Sequence, residues 1–201
     1  LEAGPLRDEQ VMVLCGGSLA SNADLRRADN GAWEIHGDPT EAALLVAECK
    51  LGAETQRKQR FERIAEVPFT SARKMMSVVV LDAEHDDPTG HPRFSRATCE
   101  GPSRSDWRGG QPAGKHIVVS KGAPGVLLER CSRQQVGSDT VALDATRRAR
   151  ILADVDRLAD AALRTLAVAY RPLDPRRAHE SPEAGAALEH ELVFAGIVGI
   201  I

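Results

Sequence analysis

Aromatic residues and cysteines are scarce in this chain of 201 residues: aromatic side chains make up 3%, and cysteine occurs four times. The cysteines are more than 30 residues apart and form no C-x-x-C pair, which argues against a zinc cluster or a disulfide framework. The chain has no run of 18 apolar residues and no basic N-terminal region followed by an apolar one. We therefore expect neither a membrane-spanning helix nor an export signal in it.

Positive and negative charges nearly balance, with 26 lysine and arginine residues against 29 aspartate and glutamate residues and a formal net charge of −3. Proteins that bind nucleic acid usually carry excess positive charge, because they neutralise backbone phosphates. We therefore expect no nucleic-acid partner. Hydrophobic residues make up 42% of the chain, which is enough to bury a core in one large or two small domains.

Capping residues and apolar spacing predict four helices. The clearest begins after Asp38, a capping residue that Pro39 follows directly and Glu41 follows three positions later, and it ends at Gly52. The other three are predicted at Leu6–Leu19, Pro124–Cys131 and Asp144–Leu163.

Apolar and β-branched runs predict five strands. They are expected at Phe61–Pro68, Met75–Asp82, Ile117–Ser120, Leu166–Tyr170 and Leu192–Ile201, with a loop at Phe69–Lys74 between the first two. Because the last strand stops inside an apolar run, we expect the chain to be a piece of a larger protein. The mixture of helices and strands is typical of the α/β and α+β classes.

The segment His85–Lys115 is rich in Gly, Pro, Ser and charge, and it is too long for an ordinary hairpin connection. We interpret it as a mobile surface insertion that buries little.

Residues 109–116, GGQPAGKH, nearly match the phosphate-binding loop G-x-x-x-x-G-K-[ST]. His116 replaces the Ser or Thr whose hydroxyl would coordinate Mg²⁺. The segment also leads into a predicted strand, whereas a phosphate loop opens a helix whose N-terminus faces the anion. We therefore reject a phosphate loop here.

A cluster of His85, Asp86, Asp87 and His91 could be drawn as a metal site. No further ligand follows at a helical or hairpin spacing, and lone polar residues in a solvated loop rarely bind a metal. We predict no metal site in this chain.

Four short segments are each explained by local structure alone. Gly37–Glu41 is a helix cap, and Phe69–Lys74 is a turn with a basic surface. Lys121–Pro124 is a turn from a strand into a helix. Leu163–Ala167 is the end of a helix that runs into a strand, with Arg164 favourable at the helix C-terminus.

Taken together and in this order, the four segments resemble the nucleotide-binding domain of P-type cation-transporting ATPases, in particular the calcium-pump-like branch. In that family the segments are close to GDPTE-x-AL, F-x-S-x-R-K-x-MSV, KGAPE and LR-x-LA, followed by a strand similar to GIVGI. The resemblance covers nearly the whole chain. It implies a single nucleotide-binding domain over residues 1–201, with a twisted, largely antiparallel sheet flanked by helices.

The resemblance also implies an ATP site formed by Glu41, Phe69, Lys74, Met76, Lys121, Gly122, Arg164 and Leu166. Phe69 matches the aromatic residue that stacks on adenine, an interaction worth roughly 1–3 kcal/mol. The alternative for Phe69 is a core position beside Pro68. Glu41 matches an acidic residue that accepts a hydrogen bond from the adenine amino group.

The remaining matches concern the rim and walls of the pocket. Lys121 lies at the rim, where the small Gly122 lets the nucleotide approach the backbone. Basic residues that meet the phosphates or the ribose side match Lys74 and Arg164. Apolar pocket walls match Met76 and Leu166.

Two residues depart from the family pattern and imply fewer phosphate contacts. Gly125 replaces the Glu that usually follows KGAP. Ser71 stands where some calcium pumps carry an arginine that contacts phosphate.

The family motif DKTGT, whose aspartate accepts the γ-phosphoryl group, is absent from these residues, as are the acidic residues that hold Mg²⁺. The resemblance thus implies a cytoplasmic domain that binds ATP and presents it to a phosphorylation domain. That domain and an actuator domain would belong to the same membrane-bound polypeptide, and Mg²⁺ would be needed only in the full-length pump. The alternative is a non-catalytic interaction module that keeps this fold and has lost nucleotide binding.

Overall fold

The computed structural model describes residues 5–83, 114–173 and 185–201. The helices are α1 (Pro5–Leu19), α2 (Pro39–Leu51), α3 (Glu54–Arg60), α4 (Pro124–Glu129), α5 (Ala145–Asp160) and α6 (Gly185–Leu188). The strands are β1 (Asp24–Arg27), β2 (Trp33–His36), β3 (Phe61–Thr70), β4 (Met75–Asp82), β5 (Lys115–Gly122), β6 (Cys131–Val136), β7 (Asp139–Ala142), β8 (Arg164–Leu173) and β9 (Leu192–Ile200).

In the part of the chain that the structure describes, seven strands form one sheet in the order β3-β4-β5-β8-β9-β6-β7. All neighbouring pairs are antiparallel except β6 and β9, which are parallel. A separate antiparallel hairpin is formed by β1 and β2. The predicted α+β class, with a largely antiparallel sheet flanked by helices, is confirmed.

Helices cover both faces of the sheet. On one face α1 packs against a cluster that includes Val78, Val119 and Tyr170. On the other face α4 and α5 pack over a cluster that includes Met75 and Phe194. Every position of β4 is therefore buried, which explains why its sequence is an almost continuous apolar run.

The caps of α2 are formed as the sequence predicts. The Asp38 side chain accepts hydrogen bonds from the backbone N–H groups of Thr40 (2.7 Å) and Glu41 (3.3 Å). At the other end Gly52 closes the helix with a left-handed backbone, φ 71°. These caps fix where α2 begins and ends, and its N-terminus lies beside a cavity at one end of the sheet.

The hairpin that joins β3 to β4 is tighter than predicted. Instead of a loop over Phe69–Lys74, β3 continues to Thr70, which pairs with Met75, and the turn is Ser71–Lys74. The Lys74 N–H donates to the Thr70 carbonyl (2.8 Å), and Lys74 has φ 52°. Pro68 is tolerated because β3 is an edge strand.

Two predicted helices end earlier than their apolar patterns suggest. Helix α4 stops at Glu129, because Cys131 opens β6 beside β9. Helix α5 stops at Asp160 rather than Leu163, and Ala162 adopts φ 57° where the chain turns into β8.

The predicted insertion His85–Lys115 extends too far at its C-terminal end. Lys115 is the first residue of β5 and pairs with Asp82, the last residue of β4. Residues 85–113, including the His85–His91 cluster and most of the phosphate-loop pattern, lie outside the described residues. The last two residues of that pattern, Lys115 and His116, lie on β5, so the pattern leads into a strand.

Within the described ranges, no three His, Cys, Asp or Glu side chains are arranged to hold a metal ion. None of the helices in those ranges is long and apolar enough to cross a membrane.

Candidate functional site

A cavity of about 530 Å³ opens at one end of the central strands. Because β4, β5 and β8 are antiparallel neighbours, the start of β4, the end of β5 and the start of β8 lie together: Met76 pairs with Lys121, and Gly122 with Ala167. The N-terminus of α2 and the β3–β4 hairpin complete the walls. The volume is within the range typical of small-molecule sites, about 300–1,000 Å³.

All eight residues that the sequence assigns to the site line this one cavity, although they come from four distant segments: Glu41, Phe69, Lys74, Met76, Lys121, Gly122, Arg164 and Leu166. The other lining residues are Asn22, Gly37, Asp38, Thr40, Ala123 and Thr165. Five of these six belong to or adjoin the four sequence motifs. Asn22 belongs to none of the motifs, so the sequence did not indicate it. It reaches the cavity from the loop between α1 and β1.

Phe69 lies near the end of β3 with 58% of its surface exposed. It is therefore not a core residue beside Pro68, and that alternative is wrong. The ring contributes to the apolar part of the cavity with Met76 and Leu166. Phe61, at the other end of the same strand, is 8% exposed and belongs to the core.

The polar wall is organised by an ion pair between Lys121 and Glu41. Nζ of Lys121 donates to Oε1 of Glu41 over 2.9 Å. Lys121 is 4% exposed, and a buried ammonium is tolerated only when it is paired. Burial lowers the pKa of Lys121, an effect that the nearby Glu41 charge only partly offsets.

Glu41 has a second set of partners on its other oxygen. Oε2 accepts hydrogen bonds from the N–H groups of Asn22 (2.8 Å) and Ala23 (3.2 Å) and from the Ser21 hydroxyl (3.3 Å). Burial by itself would raise the pKa of Glu41, but the hydrogen bond and charge of Lys121, with the Asn22 N–H, hold it below its usual value. Glu41 is therefore an anion at neutral pH.

Arg164 and Lys74 supply positive charge at the opening. Nη1 of Arg164 donates to Oγ1 of Thr40 over 3.2 Å, which ties the start of β8 to the start of α2. Both cationic side chains are exposed, so both can reach an anionic group in the cavity. Hydrogen bonds from Thr40 lower the pKa of the capping Asp38 carboxyl.

Gly122 is required by the sheet itself. A Cβ at this position would lie 2.5 Å from the Lys74 carbonyl oxygen and 2.6 Å from Cβ of Met75. The Ala123 N–H donates to the same Lys74 carbonyl over 3.0 Å. The close approach that needs glycine is thus between β5 and the β3–β4 hairpin, whereas the sequence suggested an approach between the backbone and a ligand.

The two departures from the family pattern lie outside the cavity wall. Ser71 is exposed in the β3–β4 turn, and Gly125 is exposed in the first turn of α4, where a Cβ would point into open space. Neither residue lines the cavity.

The chemistry of the cavity suits a ligand that combines a flat apolar ring with negative charge. An exposed aromatic ring and two apolar side chains lie beside three cationic side chains, one of them neutralised by Glu41. Aromatic faces bind planar rings by stacking, and lysine and arginine pair with phosphates or carboxylates.

Residues 11–91 and 106–201 match the family described as P-type ATPase, cytoplasmic domain N. The calcium-transporting ATPase of Bacillus subtilis (strain 168) is 35% identical over 193 residues, which cover 96% of this chain and 18% of that protein. Calcium-transporting ATPase 1 of Lactococcus lactis is 26% identical over 95% of this chain and 17% of its own length. The probable cation-transporting ATPase F of Mycobacterium tuberculosis H37Rv is 30% identical over 77% of this chain and 14% of its own length. The chain spans less than a fifth of the length of each of these curated relatives.

Proposed function

Because this chain belongs to the family of the P-type ATPase cytoplasmic domain N, we propose that it binds ATP in the cavity between α2, the β3–β4 hairpin and the ends of β5 and β8. The observation that carries the proposal is the convergence of all eight motif residues on that single cavity. In this proposal residues 1–201 are one nucleotide-binding domain.

Phe69 is the platform for adenine. Its exposure leaves the ring face free of core packing, and stacking on an aromatic side chain is worth roughly 1–3 kcal/mol per base. Met76 and Leu166 form the apolar walls around the base.

Glu41 accepts the hydrogen bond from the adenine amino group through Oε1. Each carboxylate oxygen offers two lone pairs, and those of Oε2 are already shared among three donors. Oε1 accepts from Lys121, which leaves it one further lone pair for the base. The lowered pKa of Glu41 keeps this acceptor ionised.

Lys74 and Arg164 meet the phosphates or the ribose side, where their exposed charges attract the polyphosphate. Lys121, neutralised by Glu41, fixes the orientation of that carboxylate from a buried position in the polar wall, and not from the rim where the sequence placed it. Ser71 and Gly125 do not line the cavity and so offer no contact to the phosphates. Contacts to adenine therefore contribute more of the binding free energy than contacts to the phosphates do.

The proposed parent protein is a cation-transporting P-type ATPase of the calcium-pump-like branch, a hydrolase and translocase in the cell membrane. The name of the Bacillus subtilis relative supports that branch. This domain lies on the cytoplasmic face and presents the γ-phosphate to the aspartate of a phosphorylation domain, with an actuator domain in the same polypeptide. We assign the Mg²⁺ ligands to the phosphorylation domain, where the metal would neutralise the transferring phosphoryl group.

The test is a titration of the chain with ATP, ADP, AMP and adenosine, with and without Mg²⁺, followed by NMR chemical shifts. We expect affinities that differ modestly among the four ligands, little demand for Mg²⁺, and shifts concentrated at Phe69, Glu41 and Lys121. The absence of binding by all four would support the interaction module instead. A strict Mg²⁺ requirement would contradict recognition through the adenine end.

A further inference from the structure

Glu189, between α6 and β9, has a side chain fully shielded from solvent. Its carboxylate pairs with the Arg73 guanidinium, accepts a hydrogen bond from the Ser77 hydroxyl (2.6 Å), and lies 3.5 Å from Nη1 of Arg130. The Ser77 hydroxyl in turn lies 2.8 Å from that of Ser120 on β5. A buried carboxylate is costly unless it is paired and hydrogen-bonded. These contacts supply the partners and connect Glu189 to the neighbouring strands β4 and β5.

Arg73 belongs to the turn at the tip of the β3–β4 hairpin. Besides its pairing with Glu189, its Nη1 donates to the Pro68 carbonyl (2.9 Å), and its backbone N–H donates to Oγ1 of Thr70 in the same hairpin (3.2 Å). One guanidinium thus joins the residue before Phe69 to a buried anion in a distant part of the chain.

The two cavity residues at the tip of this hairpin have little core packing of their own. Phe69 and Lys74 are both exposed; Phe69 lies shortly before the turn that contains Arg73, and Lys74 is the last residue of that turn. Arg73 and Glu189 do not line the cavity. The hairpin tip that carries Phe69 is therefore tied to the rest of the chain by a contact outside the cavity wall.

We propose that Arg73 and Glu189 are positioning residues for nucleotide binding: their ion pair holds the hairpin tip so that Phe69 faces the cavity. The proposal rests on the proposed function. The competing role for Arg73 is direct contact with phosphate, which the exposed basic turn would otherwise favour.

The experiment measures Kd for adenosine and for ATP with the wild-type chain, Arg73→Gln, Glu189→Gln and the double variant. Adenosine has no phosphate, so a lost positioning contact raises both Kd values by the same factor, expected to be roughly 3- to 30-fold as part of the stacking effect. The double variant is expected to be no weaker than either single variant, because both remove one contact. A loss for ATP alone, with adenosine unchanged, would overturn the proposal in favour of phosphate contact.

Arg130→Gln is the matched control, because it removes the other cation beside Glu189 without touching the hairpin. It is expected to lower Tm and leave both Kd values unchanged. An equal rise of Kd in this control would show that any loss of stability weakens binding, which overturns positioning. If Glu189→Gln does not fold, Arg73→Lys replaces it: one ammonium cannot hold Pro68 and Glu189 together as the guanidinium fork does, so a raised Kd for adenosine is expected and an unchanged one overturns the proposal.

The titration of the wild-type chain separates this inference from the proposed function. A wild-type chain that binds neither adenosine nor ATP overturns both. A wild-type chain that binds both, with Arg73→Gln and Glu189→Gln unchanged in Kd, overturns positioning alone.

Discussion

Nζ of Lys121 and Oε1 of Glu41 are 2.9 Å apart, although 80 residues separate them in the sequence. The pair joins the end of β5 to the first turn of α2, and both side chains line the same cavity. The same ion pair therefore holds two elements of the fold together and fixes the polar wall of the cavity.

Removing the charge of Glu41 is expected to cost more of the free energy of unfolding than removing that of Lys121. Glu41→Gln leaves the buried Lys121 ammonium beside a neutral amide, at a cost of about 3–5 kcal/mol in the free energy of unfolding. Lys121→Met costs less, about 1–3 kcal/mol, because Glu41 keeps the donors on Oε2. Urea unfolding of the two variants checks the order, and equal or reversed costs would contradict it.

The acid dependence of stability is expected to have opposite signs at two glutamates. The pKa of Glu41 is lowered by folding, so its contribution is present above its ordinary pKa and is lost as pH falls through the folded value. Glu48 is buried on α2, where its Oε1 lies 2.6 Å from Nε of Arg57 on α3. The pKa of Glu48 is raised, because burial outweighs the charge of Arg57, so its ionisation penalises folding increasingly as pH rises above its ordinary pKa.

Unfolding of Glu41→Gln and Glu48→Gln from pH 3 to pH 7, each against the wild-type chain, measures both slopes. As the pH falls, the free energy of unfolding of the wild-type chain should approach that of Glu41→Gln. Relative to Glu48→Gln, the wild-type free energy of unfolding should instead rise. Parallel slopes for the two variants would show that one of the two assignments is wrong.

Phe69→Ala is expected to weaken adenosine and ATP binding by a factor of about 5 to 150, corresponding to roughly 1–3 kcal/mol of stacking, while Tm barely moves. The control Phe61→Ala removes a ring that is 8% exposed and should cost about 3–5 kcal/mol of stability with affinity little changed. A large loss of stability with unchanged affinity for Phe69→Ala would remove it from the site.

Gly122→Ala is expected to destabilise the chain by about 1–3 kcal/mol, because its Cβ would meet the Lys74 carbonyl and Met75. Gly125→Ala is the control: its Cβ meets open space on a helix, so a gain of up to about 1 kcal/mol is expected. Thermal melts compare the two, and a neutral Gly122→Ala would mean that β5 and the hairpin can separate without cost.

Elements with strong local signals could be predicted from the sequence. Asp38 and Gly52 bound α2 because capping is a local interaction between a side chain or a left-handed backbone and the nearest turn. The continuous apolar run of β4 could be recognised because both faces of that strand are covered.

Elements with weak local signals or distant partners could not be predicted in this way. Strands β1 and β2 have four residues each and are largely exposed, so neither offers a run long enough for a strand pattern to stand out. The short helix α3 has a polar sequence and no side-chain cap. Strand β6 pairs in parallel with β9, about 60 residues later, and no local pattern in a polar strand reports such a partner.

The same contrast between local signals and distant partners holds for the residues of the candidate site. Its eight predicted residues lie in recognisable motifs, whereas Asn22 enters through its backbone N–H bond to Glu41, which no spacing reveals. Glu189 was not predicted as a partner of Arg73, because the two residues are 116 positions apart in the sequence and only the folded sheet brings them together.

The pairing of Asp82 with Lys115 has a practical consequence for protein engineering. Directly opposed residues on antiparallel strands are about 4.5–5.5 Å apart at Cα, so the chain leaves and re-enters the sheet at nearly one point. A guest protein whose own termini are close together can be spliced between these strands without pulling them apart. The same two strands carry Met76 and Lys121 at their other ends, so a guest at the insertion point lies at the opposite end of the strands from the cavity and leaves the cavity wall unchanged.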